Sequence, residues 1–282
     1  MSITIVTAFF DIGRGDWSQE KGHPSYLQRS TDKYFKYFAN LAQLSNPMVV
    51  FTDKENIQKI KDIRGGKSTT IIEIDINEKF RIYRNQIEDI QKSEKFRNKI
   101  PEEQLKNPEY WSADYVLVTN LKAYFVKQAI KHQDVTTPLV AWVDFGYCRD
   151  IEIFNGISEW NYSFSLDKVH LFTIKREFKI TKENVLFSIA NNKVFCIGGV
   201  IVASKEKWID FSNLVLSCQK KLIADEIIDD DQGVYLMALL KQPDLFKLNY
   251  LGKNKWFDVF KKYDQSSKLS CVDQFKKLIG RY

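Results

Sequence analysis

Apolar residues along this chain fall into two spacings. Short, nearly unbroken runs rich in β-branched residues, ITIVTAFF, MVVFTD, STTIIEIDI, PLVAWVD and KVFCIGGVIVAS, have the length and character of strands. Between and after them, SYLQRSTDKYFKYFANLAQL, SADYVLVTNLKAYFVKQAIKH, KEKWIDFSNLVLSCQKKLI and DDDQGVYLMALLK carry apolar residues at helical spacing. In the second of these, Ala113, Val116, Leu117, Leu121, Tyr124, Phe125 and Ala129 form one stripe behind a capping Ser112, which predicts a single long core helix. Strand, helix, strand is the start of a parallel sheet, and runs without polar alternation belong to strands covered on both faces. The polar stretch 78–106 reads as surface helices or an excursion from the sheet. No repeat or Pro/Gly-rich linker interrupts the chain. The expectation is one α/β domain over 1–282, a mostly parallel Rossmann-like sheet flanked by helices. Residues 1–150 form its nucleotide-type half, and 151–282 a less regular one.

With 282 residues, 44% of them apolar and 14% aromatic, there is ample material for a large core. The opening MSITIVTAFFDIG lacks the basic start and cleavage site of a secretory signal, and no apolar run reaches the roughly 20 residues of a membrane span, so a cytoplasmic protein is expected. Cys148, Cys196, Cys218 and Cys271 form no CxxC pair and are read as small core residues. The net charge of +6 is concentrated at the C-terminal end, where Lys241 to Tyr282 carries ten Lys or Arg against four Asp. Its ordinary use is a solvated helix face, with KKYDQSSKL and CVDQFKKLIGRY as short amphipathic pieces. Otherwise it suits peripheral contact with an anionic membrane or a phosphorylated acceptor. Nucleic acid is not expected, because no aromatic-interleaved basic motif accompanies the charge.

Two motifs invite a chemical reading. RGGKSTT ends like a phosphate-binding loop, but Lys61 stands where that motif needs its first glycine, and the segment leads into a strand instead of out of one. It is read as a turn. In PLVAWVDFGYCRD an apolar run ends in Asp144. A lone carboxylate after a strand commonly caps a turn, yet ligands of parallel sheets bind beyond the carboxyl ends of strands, which is where Asp144 lies. His23, His132 and His170 are isolated and unassigned.

Taken in order, TNLKAYFVKQAI, AWVDFG, CIGGVIVAS, DDDQGVYLMALL and NYLGKNKWF resemble the blocks of GT-A glycosyltransferases, especially the glycogenin-like and lipopolysaccharide galactosyl- and glucosyltransferases. The whole chain, through ITIVTAFFDIGRGDW, MVVFTD, WVDFGYCRD and IGGVIVASKEKW, more closely resembles the bacterial HtrL/WlaTC (YibB-like) family, associated with surface-polysaccharide loci. The resemblance implies a GT-A-like fold and transfer of a hexose from a nucleoside diphosphate sugar, UDP being the expected nucleotide, to a glycan or lipid-linked acceptor.

It also implies site residues. Asp144 matches the first acid of the DxD motif, which binds Mn²⁺ or Mg²⁺ in such enzymes, but Gly146 takes the second position. Over NYLGKNK, Gly252 and Lys255 match an HxxGxxK block, while Asn249 replaces the histidine. Asp144 and Asn249 would therefore hold an ion weakly, or not at all. Lys122 and Lys255 would contact the donor, and Thr7, Ala8 and Phe9 would line the nucleoside pocket. Arg14 faces phosphate or solvent. Asp231, with Asp230 and Gln232, is the catalytic candidate, taking the acceptor proton in an inverting enzyme or bonding the sugar in a retaining one. Gly198 and Gly199 let the backbone approach a sugar, or pack against a helix. Two other readings stand beside this one: a lapsed enzyme that still binds nucleotide sugars, suggested by Gly146 and Asn249, and a nucleic-acid binder using the basic tail.

Overall fold

The computed structural model describes residues 1–154 and 156–265. Its centre is one seven-stranded sheet of β1 (Ile3–Phe9), β2 (Met48–Thr52), β3 (Thr69–Glu73), β4 (Leu139–Val143), β5 (Val169–Thr173), β6 (Cys196–Ser204) and β7 (Phe246–Tyr250). The strand order is β3-β2-β1-β4-β6-β5-β7. Neighbours pair in parallel except around β6, which runs antiparallel to both β4 and β5. The expected α/β class, a mostly parallel sheet flanked by helices, is what the structure shows.

The unbroken apolar runs have the cause inferred for them. β2 and β4 are buried at every position, and β1 at all but Ala8. Successive side chains point to opposite faces, so the sheet divides two cores. Ile5, Val50 and Ala141 meet Phe35 and Phe38 of the helix Thr31–Leu41 on one side. On the other, Val6, Phe51 and Trp142 meet Leu117, Phe125 and Phe211 of the helices Ala113–Asn120, Lys122–Lys131 and Lys205–Ala224.

Four features depart from expectation. β5, β7 and the helix Lys182–Ala190 were not anticipated. β5 carries a buried histidine, His170, within VHLFT, and β7 is an edge strand with Lys247 and Leu248 exposed, so neither reads as an apolar run. The predicted long helix is two helices, divided at Leu121. Just before the division, Thr119 Oγ1 donates back to the carbonyls of Tyr115 and Val116, and the Asn120 amide donates to Asp229 O at 3.0 Å. Side chains that bond the preceding turn or leave for another element disturb the helical ladder at that point.

β6 is irregular where its glycines lie. Against β5, Leu171 pairs with Ile201 but Phe172 pairs with Ile197, so residues 198–200 bulge out of the ladder. The stretch 78–106 forms surface helices, chiefly Arg81–Lys92. Among the described residues, no helix is long and apolar enough to cross a membrane. From residue 266 on, the amphipathic tail pieces and Cys271 lie outside the described residues.

Candidate active site

A cleft of about 320 Å³ opens at the carboxyl ends of β1 and β4, where the strand-end rule places ligands. Asp144, one residue beyond β4, is held there by its N–H donating to Gly199 O at 2.8 Å and by the Trp142 indole donating to Oδ1 at 2.7 Å. Lys122 opens the second of the two consecutive helices and is only 6% exposed. Its Nζ lies 2.9 Å from Asp144 Oδ1 and 2.8 Å from Asp231 Oδ2, and donates to Gly198 O at 3.0 Å. Three residues far apart in the chain thus form one hydrogen-bonded row across the cleft.

The glycines exist for this row. A Cβ on Gly198 would sit 1.9 Å from Asp231 Oδ2, and one on Gly199 would sit 2.9 Å from the Tyr147 ring. The β6 bulge frees the Gly198 carbonyl for Lys122, and its bare Cα makes room for the carboxylate. Gly233 makes room in the same way for a neighbouring carboxylate outside the row, since a Cβ there would lie 1.8 Å from Asp229 Oδ2. Of the two readings of the β6 pair, packing is the one the contacts show: Gly198 meets Asp231, the first residue of the helix Asp231–Lys241, and Gly199 meets the Tyr147 ring.

Electrostatics follow from burial. Burial pulls the Lys122 ammonium down, but Asp144 and Asp231 outweigh it and hold the amine above its ordinary range. Burial pushes Asp231 up, Lys122 opposes it, and Asp144 adds to the rise. Asp230 caps the helix Asp231–Lys241 by accepting from Gln232 N at 2.9 Å, and burial together with Asp231 pushes it well above the carboxylate range. Glu109, buried behind the row, is pushed to about 7 by burial and by Asp231, with Arg14 opposing. Carboxyls raised this way hold a proton more readily than a free carboxylate and suit proton transfer. Gln232 Oε1 is buried without a hydrogen-bond partner and its residue lines the cleft, which leaves an acceptor available to a hydroxyl.

Of the residues singled out from the sequence, Ala8, Phe9, Arg14, Lys122, Asp144, Asp230, Asp231 and Gln232 line this cleft. Thr7 lies one step back, fully buried, with a hydroxyl that has no partner. Gly252 and Lys255 are not in the lining: Lys255 is exposed, its ammonium 3.8 Å from Asp258. Gly252 sits at φ 123°, a conformation that favours glycine, and a Cβ there would press on the Lys255 stem at 3.0 Å. That block reaches the cleft instead through Trp256 and Phe257, with Tyr147 donating to Trp256 O at 3.0 Å.

Asn249 is also placed elsewhere. It is 7% exposed on β7, and its amide donates to the carbonyls of Leu171 and Lys247, both at 3.1 Å. Asp144 and Asn249 therefore do not converge on one ion. Among the described residues, no three His, Cys, Asp or Glu side chains gather as a metal cluster. A divalent cation at Asp144 would also face the Lys122 ammonium, so the side chains present do not fit a protein-held Mn²⁺ or Mg²⁺.

Sequence reasoning missed Arg29 and Arg149, which share the cleft with Arg14. The signal for Arg149 was available, because it lies in the same DFGYCRD loop as Asp144. Arg29 directly precedes Ser30, the cap of the first helix.

Residues 1–265 match the family model described as "Bacterial protein of unknown function (HtrL_YibB)". The chain is 52% identical to Protein HtrL of Escherichia coli (strain K12), over 92% of both proteins. Among solved structures, mouse xyloside xylosyltransferase 1 in its apo form aligns over 93% of each chain, at 13% identity and a TM-score of 0.40. The apo-form glycosyltransferase GlyE of Streptococcus pneumoniae TIGR4 aligns over 88% of this chain and 45% of its own, at 10% identity and a TM-score of 0.40.

Proposed function

The chain belongs to the bacterial HtrL_YibB family, and from that premise we propose that it is a glycosyltransferase moving a hexose from a nucleoside diphosphate, UDP in the first instance, to a hydroxyl of a glycan or lipid-linked acceptor. Surface-polysaccharide assembly at the cytoplasmic face of the membrane is the setting this reading favours. The observation that carries it is the row Asp144, Lys122, Asp231. Those residues stand in three separate blocks that resemble GT-A enzymes, and they meet in one cleft at the strand ends.

In this reading the bond between the sugar C1 and the diphosphate oxygen breaks, its electron pair leaving with the diphosphate. The acceptor oxygen forms the new bond to C1, and its proton passes to the Asp231 carboxylate. Burial raises the proton affinity of Asp231, while Lys122 and the bare Gly198 hold its position. Gln232 Oε1 is free to accept from a sugar hydroxyl, and Asp144 orients Lys122 from the opposite side of the row.

The test is Asp231→Asn, assayed with a panel of nucleotide sugars and acceptor glycans. Turnover should fall by about 10²-fold or more while donor affinity stays within about threefold, the behaviour of a lost general base. A fully active variant would remove Asp231 from the chemistry. Stabilisation of the wild-type protein by nucleotide sugars with no turnover in any acceptor mixture would favour a lapsed binding protein instead.

A further inference from the structure

We propose that Arg14, Arg29 and Arg149 form the site that holds the donor's diphosphate, so that guanidinium groups, and not a divalent cation held on carboxylates, neutralise the leaving group. The inference rests on the nucleoside diphosphate reading above and names how that donor is gripped.

All three arginines line the cleft at the ends of β1 and β4. Two are set in place by neighbours that carry no charge. Arg14 Nη1 donates to the Tyr34 hydroxyl at 2.7 Å and Nη2 to Leu27 O at 3.0 Å, and its guanidinium lies 5.0 Å from the Trp17 ring centre. Arg149 lies 4.4 Å over the Phe257 ring. Arg14 Nε is buried with no hydrogen-bond partner, a donor costly to leave unmet.

Among the described residues, none of the three has a carboxylate within ion-pair distance, whereas Arg84 holds Asp114 at 2.6 Å and Glu88 at 2.8 Å. The acids in the same cleft are already engaged. Asp144 and Asp231 share Lys122, Asp230 accepts from Gln232 N, and Asp11 accepts from Gly13 N and the Thr31 hydroxyl. The three guanidiniums that line the cleft are thus left without an ion-paired carboxylate, Glu109 acting on Arg14 only from beyond ion-pair distance. Burial lowers Arg149, and proximity to Arg29 and Arg14 adds to that, with Tyr37 and Tyr34 opposing. A polyanion offsets that proximity of like charges and satisfies the forked donors together. Phosphate oxygens match the guanidinium fork in geometry, and charge developing on a departing diphosphate strengthens each contact.

A phosphate on the acceptor has the same chemistry, so the experiment must separate the two sources. Binding of UDP, GDP, uridine, inorganic diphosphate and a hexose 1-phosphate, the last standing for a phosphorylated acceptor, is measured by calorimetry in EDTA, and again with Mn²⁺. The wild-type protein is compared with Arg29→Gln/Arg149→Gln and Arg29→Lys/Arg149→Lys, each first shown by thermal melting to be folded. A nucleoside diphosphate and inorganic diphosphate should both bind in EDTA. Each should weaken about 100-fold in the glutamine pair, roughly tenfold per charge-assisted contact, and recover in part in the lysine pair, with uridine unchanged. Nucleotide binding that requires Mn²⁺ and ignores both substitutions overturns the inference and leaves the donor reading standing. So does nucleotide binding that is normal in the glutamine pair while a phosphorylated acceptor loses its affinity. Arginine-dependent binding of diphosphate alone, with no nucleotide bound, keeps the anion site and removes the donor reading. No binding of any of them overturns both.

Discussion

Replacing Lys122 by methionine keeps the stem that packs in the core and removes the charge that two acids share. Asp231, 2% exposed, then has two choices. Staying ionised without its partner costs about 3–5 kcal/mol, the usual result of stranding a buried charge. Taking up a proton at pH 7 instead costs at most about 4 kcal/mol, since an unfolded aspartate titrates near 3.9 and each unit of pH is worth about 1.4 kcal/mol. The cheaper course sets a ceiling of about 4 kcal/mol on this term, and because protonation is one of the two courses, the penalty must depend on pH. Without Lys122, which opposes the rise, the already raised carboxyl of Asp231 moves further up. A group raised above its unfolded value lends stability below the unfolded pKa and loses it as pH rises toward the folded one. The gap between wild type and Lys122→Met should therefore shrink to about 1.5 kcal/mol at pH 5, where the same protonation costs that much. Urea denaturation at pH 5 and pH 7 measures both gaps. An equal gap at the two values, or none at pH 7, would refute the claim that Lys122 neutralises a buried carboxylate.

Other outcomes follow from the same packing. Gly198→Ala puts a methyl 1.9 Å from Asp231 Oδ2, so it should lower stability by about 1–3 kcal/mol in thermal melts and abolish transfer by displacing that carboxylate; wild-type turnover would contradict the assigned position of Asp231. Glu109 is raised to about 7 by burial first and Asp231 next, so its contribution is present below about 4.5 and is lost as pH rises through 7. Glu109→Gln should therefore be more stable than the wild-type protein at pH 8, by up to about 3 kcal/mol, with the advantage gone at pH 5; denaturation curves at both values decide it.

What could be read before folding, and what could not, divides along a physical line. The runs of β1, β2, β4 and β6 were legible because strands covered on both faces need apolar residues at every position, and the helices over them repeat at their own period. β5 and β7 escaped because one buries a histidine and the other lies at an edge, so each obeys a neighbour instead of its own pattern. Asp144, Lys122 and Asp231 were reachable through the order of blocks, yet nothing in the spacing of Lys122 showed that a lysine beside an apolar stripe is buried between two acids. The arginines were illegible for the opposite reason. Their significance is that no carboxylate among the described residues lies within ion-pair distance of them, although four share the cleft, and only the folded cleft shows which charges have been spent. Lys255 makes the same point from the other side: it matches its block by spacing, but the chain turns at Gly252 and delivers Trp256 and Phe257 to the cleft in its place. The fold sorts the cleft into two kinds of charge: an ammonium consumed in fixing two acids, and guanidiniums left unpaired. A site that keeps its cations uncommitted while engaging its carboxylates suits an anion, and under the proposed function a donor whose leaving group is a diphosphate would use both halves of that arrangement at once.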